Sequence, residues 1–322
     1  MKAIIAPQLV DVELPKPAPA GRDLLVRVHA VSVNPVDTKR RNEAQNRPIG
    51  WDAAGVVEAV GESVTLFKPG DEVLYAGDVT RPGCNSELHL VDERIVGRKP
   101  KRLDFAQAAA MPLTSITAWE AFFDRMKIAR DSRAAVLIIN GAGGVGSIGI
   151  QIAKLTGLKV IATASRPQTI AWVKELGADH VVDHRKPLRP QIEALGMKHI
   201  DYIANFSGEL DAYWSTMADL VAPQGAVVAI VPNREPLPMD VVRSKSASVC
   251  WELMFTRPRF QTPDMIEQHR LLNQVSEWLD AGRLRTTLRE KLSPINAANL
   301  RAAHAKLESG TMIGKLVLEG WA

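Results

Sequence analysis

Residues 1–112 carry short runs in which apolar and polar positions alternate, such as Leu24-Leu25-Val26-Arg27-Val28-His29-Ala30 and the stretch from Ala53 to Val60. A period of two places successive side chains on opposite faces of a strand, so this region reads as β-rich. Turn residues divide the runs: Pro15, Pro17 and Pro19 mark a loop, and Pro69-Gly70-Asp71 marks a turn. From about residue 113 the pattern changes. Helix-period segments alternate with short apolar runs at 135–139, 158–162, 181–183, 200–204 and 225–231. Such alternation predicts an α/β region, a doubly wound parallel sheet with helices on both faces. Beyond about residue 250 the two patterns mix. Met265 to Ala281 is predicted as a helix stopped by Gly282, and Lys315-Leu316-Val317-Leu318 as a strand.

One junction between these patterns carries most of the chemistry. The run Leu137-Ile138-Ile139 ends in Asn140-Gly141-Ala142-Gly143-Gly144-Val145-Gly146, in which Gly141, Gly143 and Gly146 form G-x-G-x-x-G. A helix-period segment follows, with Val145, Ile148, Ile152 and Leu155 on one face. Leu158-Lys159-Val160-Ile161-Ala162 then closes a βαβ unit. Between strand and helix each glycine has a role. The first permits the tight turn, the second lets backbone approach a pyrophosphate, and the third lets helix pack on strand. The helix N-terminus adds free N–H groups. Gly141, Gly143, Gly144, Val145 and Gly146 are therefore candidate cofactor-binding residues. The alternative is a plain glycine turn in an α/β sheet.

The next strand bears on which dinucleotide binds. An NAD site usually places Asp or Glu about 20 residues on, against the ribose 2′-hydroxyl. Here the strand ends Thr163-Ala164-Ser165-Arg166, without a carboxylate. A hydroxyl and a guanidinium suit a 2′-phosphate, so Ser165 and Arg166 predict NADP(H) as cofactor. Ser165 also reads as a helix N-cap before Pro167, with Arg166 on the surface.

Composition narrows the class. With 322 residues, 46% of them hydrophobic, the chain is long enough for two domains with separate cores. Two cysteines, Cys84 and Cys250, are too few for a disulfide framework or a structural zinc cage. They suit a reducing compartment, and neither a signal peptide nor a membrane-spanning run is read, so a cytoplasmic protein is expected. A net charge of +4 spread along the chain does not indicate nucleic acid, and 5% aromatic content argues against base-stacking surfaces.

Together the motifs resemble the medium-chain dehydrogenase/reductase superfamily. Within it they resemble the quinone oxidoreductase group, nearest its zinc-type alcohol-dehydrogenase-like branch. The resemblance covers nearly the whole chain. It rests on Val33-Asn34-Pro35-Val36-Asp37, Gly50-Trp51-Asp52-Ala53-Ala54-Gly55-Val56-Val57, Lys68-Pro69-Gly70-Asp71-Glu72-Val73, Pro112-Leu113-Thr114-Ser115-Ile116-Thr117-Ala118-Trp119, the glycine loop, and Gly314-Lys315-Leu316-Val317. It implies a GroES-like β-barrel domain over 1–115 and 252–322. A Rossmann domain over 116–251 would bind the cofactor in the cleft between the two, and a homodimer is expected. The chain departs from the zinc enzymes of the family, which carry Cys where Asn34 stands and Gly-His-Glu where Gly50-Trp51-Asp52 stands. Asn34 and Trp51 do not replace a thiolate and an imidazole, so no metal is expected. Cys84 and His89 alone are a weak alternative site.

Without a metal to stabilise an alkoxide, reduction of a quinone or an α,β-unsaturated carbonyl (enone) is the favoured reaction. The resemblance implies that Lys39 binds the nicotinamide ribose or polarises the substrate. Its alternative is a solvated basic run, Lys39-Arg40-Arg41. Asn34 is a candidate donor to ribose or substrate, or starts a turn before Pro35. Asp37 orients Lys39 or Arg41, or caps a helix. Trp51 walls the pocket or is core. The resemblance also places Thr117 beside the nicotinamide and His184 near the adenosine phosphate. Phe206 and Val231 are read as ending the fourth and fifth strands, where ligands bind or where ordinary packing occurs. The resemblance also implies that Phe255 reaches the nicotinamide from the returning segment. The competing functions are a zinc-type alcohol dehydrogenase and a non-catalytic NADPH- or RNA-binding protein.

Overall fold

The structure is a computed structural model describing residues 1–322. Its contacts divide the chain into two units, 1–116 with 255–322, and 117–254. Both the GroES-like and the Rossmann-like architectures expected from the sequence are present.

The unit formed by 117–254 is built on six parallel strands. In spatial order they are His180–Val182, Lys159–Thr163, Ala135–Ile139, Ile200–Asn205, Val221–Ala229 and Ser248–Trp251. Counted along the chain, that order is 3-2-1-4-5-6, the doubly wound arrangement whose order reverses beside the first strand. Val136, Leu137, Ile138 and Ile139 are fully buried. A continuous apolar run is what a strand covered on both faces requires. The helix Gly144–Leu155 follows at once, and its middle turns, Ile148 to Ala153, are buried all round. Several boundaries move: the strands expected at 158–162, 181–183 and 225–231 run Lys159–Thr163, His180–Val182 and Val221–Ala229, and the helix expected over Met265 to Ala281 runs Glu267–Asp280. The fourth and fifth strands end at Asn205 and Ala229, so Phe206 and Val231 lie just beyond them. The N-cap of the helix Pro167–Glu175 is Arg166 rather than Ser165. The Arg166 N–H, not that of a later residue, receives help, donating to Thr169 Oγ1 at 3.1 Å.

The other unit centres on the long strand Asp23–Ser32. It pairs antiparallel with Ala53–Val60, with Leu88–Asp92 and, at its far end, with Lys315–Glu319. Leu24, Leu25, Val26, Val28, Ala30 and Val31 are all buried, more than strict alternation predicts; strands flank it on both edges and the helix Phe105–Ala109 packs against it. Glu72–Tyr75, Val96–Arg98 and Leu288–Leu292 complete the sheet. The helix Glu267–Asp280 ends where Gly282, at φ +68°, turns left-handed. No helix is long and apolar enough to cross a membrane.

Candidate functional site

The glycine loop is fastened before it meets any ligand. Asn140 takes a left-handed φ of +63° as the strand Ala135–Ile139 ends. Its N–H donates to Thr163 Oγ1 at 3.0 Å and its Nδ2 to the Phe206 carbonyl at 3.1 Å. A Cβ on Gly146 would sit 2.2 Å from the Asn140 carbonyl oxygen, so only glycine lets the helix start this close to the turn. A Cβ on Gly141 would meet Ala162 at 2.8 Å, and one on Gly143 would meet Asn140 Nδ2 at 2.6 Å. The first intrahelical bond runs from Ser147 N to Gly143 O. The N–H groups of Gly144, Val145 and Gly146 therefore precede the ladder, at a half-buried surface over Gly143 to Val145. The residues fit a dinucleotide pyrophosphate: a cradle that side chains would fill, and a helix N-terminus facing it.

A basic rim stands at the ends of the second and third strands. Ser165 Oγ lies 3.3 Å from His184 Nε2. Arg185 donates from Nη2 to the Ser165 carbonyl at 2.6 Å and to Asp183 Oδ2 at 3.0 Å. That guanidinium holds the Asp183 carboxyl down at about 2, so the one nearby acid is already neutralised. Burial lowers the His184 imidazole below its ordinary value; Asp183 opposes the shift and Arg185 and Arg166 reinforce it. Its buried Nδ1 has no partner. Arg185 was not apparent as a site residue from the sequence, because it lies in the exposed run Arg185-Lys186 that reads as ordinary surface.

Other expected residues are dispersed. Phe206 is buried, its ring 5.9 Å from that of Phe122, so only its carbonyl takes part, through Asn140. Val231 is half-buried at the edge of the apolar core, and Thr117 is buried in the helix Pro112–Trp119.

In the other unit, a buried polar knot surrounds Asn34. Asn34 caps the helix Pro35–Arg40, and its N–H donates to Asp37 Oδ2 at 2.8 Å. Its amide Nδ2 donates to Asp52 Oδ2 at 3.0 Å and to the Trp51 and Ser32 carbonyls at 3.3 Å. Its Oδ1 accepts from Lys315 Nζ at 2.6 Å. Lys315 Nζ also reaches the Val33 carbonyl at 2.9 Å and Asp52 Oδ2 at 3.0 Å. The second Asp52 oxygen accepts from Leu113 N at 2.9 Å. Burial pushes the Asp52 carboxyl up, while Lys315, Leu113 N–H and Asn34 pull against it. All of those neighbours are donors, which is the environment of a carboxylate. Asp37 is pushed up to about 7 by burial, against the pull of the Asn34 N–H and Lys315, and its Oδ1 has no partner.

Trp51 is buried beside this knot. Its Nε1 donates to the Asp78 carbonyl at 3.2 Å, and the Phe255 ring meets it edge-on at 6.1 Å. Lys39 stands apart, exposed on the last turn of its helix with no hydrogen bond or ion pair, whereas Arg40 pairs with Glu43 and Arg41 with Glu308. Asp37 contacts neither Lys39 nor Arg41; it completes the helix cap instead. The donor set around Asn34 does not fit zinc. Trp51 has no lone pair to give, the oxygen of Asn34 is taken, and an ammonium already sits among the oxygens. His89 binds the Tyr75 hydroxyl and the Pro82 carbonyl, and Cys84 bonds the Asp52 carbonyl, so the pair forms no site.

A GroES-like unit joined to a doubly wound unit with a glycine cradle defines a pyridine-nucleotide-dependent oxidoreductase. The chain belongs to the medium-chain dehydrogenase/reductase superfamily. Residues 20–101 match the alcohol dehydrogenase GroES-like domain and residues 176–318 match the zinc-binding dehydrogenase family. A zinc-type alcohol dehydrogenase-like protein of Staphylococcus aureus strain MSSA476 is 44% identical over 310 residues, 94% of this chain and 92% of that protein. A quinone oxidoreductase of Pseudomonas aeruginosa is 30% identical over 325 residues, 97% of this chain and 96% of that protein. A solved structure from Rhizobium etli CFN 42, described as a candidate zinc-dependent alcohol dehydrogenase, is 56% identical with a TM-score of 0.95. It covers 100% of this chain and 98% of its own.

Proposed function

We propose that this chain is an NADPH-dependent, zinc-independent oxidoreductase acting on a quinone or an α,β-unsaturated carbonyl. The observation that carries the reading is the basic rim of Ser165, Arg166, His184 and Arg185, with its single carboxylate, Asp183, already paired. When bound, the reduced nicotinamide supplies a hydride. The N–H groups of Gly144, Val145 and Gly146 hold the pyrophosphate. Arg166 and Arg185 grip the 2′-phosphate, Ser165 donates to it, and His184 closes the adenosine end. Thr117, Phe206 through its carbonyl anchor, and Val231 set the nicotinamide side.

Hydride addition at the acceptor's β-carbon moves an electron pair onto an oxygen, which water then protonates. Lys39, the free cation of its helix, donates to that oxygen or to the ribose. Trp51 and Phe255 exclude water. Asn34 acts as a positioning residue, since its amide is committed within the knot. The 30%-identical relative named as a quinone oxidoreductase supports the acceptor class. The test is loss of NADPH absorbance across a panel of quinones and short enones, with NADH in parallel. A protein oxidising neither cofactor with any acceptor, yet shifting single-stranded RNA in a gel, would favour the non-catalytic reading. We propose a homodimer formed along the edge strand Ser248–Trp251, where Trp251 and the nearby Leu253 are exposed.

A further inference from the structure

We propose that the ammonium of Lys315 is the resident cation of this site, held where a zinc enzyme of this superfamily would hold its metal, and that it positions the segments carrying Asn34 and Trp51. The proposal rests on the zinc-independent reading above, but not on the choice of cofactor or acceptor. Lys315 is 3% exposed, and a buried unpaired ammonium is costly. This one is fully coordinated. Its three N–H bonds meet the Val33 carbonyl, Asn34 Oδ1 and Asp52 Oδ2, at 2.9, 2.6 and 3.0 Å. By the resemblance drawn from the sequence, Asn34 stands where the zinc enzymes carry Cys, and Asp52 stands where they carry the Glu of Gly-His-Glu, next to the position of their His. Neither a thiolate nor an imidazole is among the donors. No group of three or more His, Cys, Asp or Glu side chains in the chain could hold a metal ion.

The ammonium ties together distant parts of the chain. Lys315 opens the strand Lys315–Glu319. Val33 and Asn34 lead from the strand Asp23–Ser32 into the helix Pro35–Arg40. Asp52 directly follows Trp51 and passes the contact on to Leu113, at the start of the helix Pro112–Trp119. The Trp51 carbonyl is bound to Asn34 in turn. Removing the positive charge leaves Asp52 a buried carboxylate with only neutral donors, and loosens Asn34 at its oxygen.

Four proteins test this: the wild type, Lys315→Met, Asp52→Asn, and the double variant. Wild type purified without added metal should hold less than about 0.1 metal ion per chain, well short of an occupied zinc site. About one zinc per chain, lost in Asp52→Asn, overturns the proposal. Lys315→Met should raise the unfolding constant about 10²–10³-fold, as expected for breaking a buried pair. The double variant should recover most of that loss. Losses that simply multiply overturn the proposal. If Lys315→Met does not fold, folding of the double variant still supports the proposal, and failure of both overturns it. With an active acceptor, Lys315→Met should lower kcat about tenfold and leave the NADPH KM within about twofold. Unchanged kcat removes the positioning role. A wild type without NADPH oxidation refutes the proposed function, while metal content and the stability cycle still decide the role of Lys315.

Discussion

Ser165 Oγ and His184 Nε2 lie 3.3 Å apart, joining the ends of two neighbouring parallel strands through side chains rather than the ladder. The contact brings a hydroxyl, an imidazole and the Arg185 guanidinium to one rim. Cofactor choice is the property most exposed to this rim. Arg166→Ala should weaken NADPH binding by about 1.5–3 kcal/mol, the scale of a charge-assisted hydrogen bond, and leave NADH nearly unchanged. Fluorescence titration with both cofactors checks it; equal losses would make Arg166 structural.

Gly146→Ala and Gly143→Ala should differ. A Cβ at 146 meets backbone, the Asn140 carbonyl at 2.2 Å, whereas one at 143 meets the end of the Asn140 side chain. We expect Gly146→Ala to cost about 1–3 kcal/mol of stability as overpacking. Gly143→Ala should cost less, while weakening dinucleotide binding through displacement of Asn140. Paired thermal melts and cofactor titrations separate the two, and equal destabilisation would refute the distinction.

Lys39→Met removes the one unpaired cation of the helix Pro35–Arg40. Action on the developing oxyanion predicts a fall in kcat of about 10²–10³. Action on the ribose predicts a higher NADPH KM with kcat little changed. Wild-type kinetics would return Lys39 to the solvated basic run.

Asp37 gives the stability a pH dependence. Its carboxyl is raised from 3.8 to about 7 in the folded chain. The folded state thus holds a proton that the unfolded state releases. The contribution is full below the unfolded value and is lost as pH rises through about 7. Asp37→Asn, which keeps an acceptor for the Asn34 N–H, should abolish that decline. Relative to the variant, wild type should lose up to about 4 kcal/mol as pH rises from about 4 to about 8, because each pH unit between the unfolded and folded values is worth about 1.4 kcal/mol. Denaturant melts at several pH values test this, and parallel curves would refute it.

Leu253→Asp, at an exposed position two residues beyond the edge strand Ser248–Trp251, should convert a dimer to monomers in sedimentation velocity. A variant that sediments as the wild type does would place the interface elsewhere.

The legible parts of the site are local in sequence. The glycine loop was readable because turn, close approach and helix start all fall within seven residues, Asn140 to Gly146. The basic rim was half readable: the absent acid at Ser165-Arg166 was visible, but Arg185 arrives from the next strand. The cap assigned to Ser165 belongs to Arg166, whose extended backbone (φ −103°, ψ 148°) and N–H bond to Thr169 Oγ1 mark the residue before the helix.

By itself the sequence determined where many of the strands and helices lie, though not short strands such as Lys2–Ile5 and Leu88–Asp92. The run Ala53 to Val60 is a strand over those same residues, and Gly282 stops its helix, because periodicity and glycine act within a few residues. It also determined the class of the chain, through motifs whose spacing is local. The tertiary structure alone decided what Lys315 does. In the sequence it is one lysine before an apolar strand; in the fold it bonds Asn34, 281 residues away. Burial makes that pairing compulsory, since a lysine ammonium removed from water must find its acceptors wherever the folded sheet brings them.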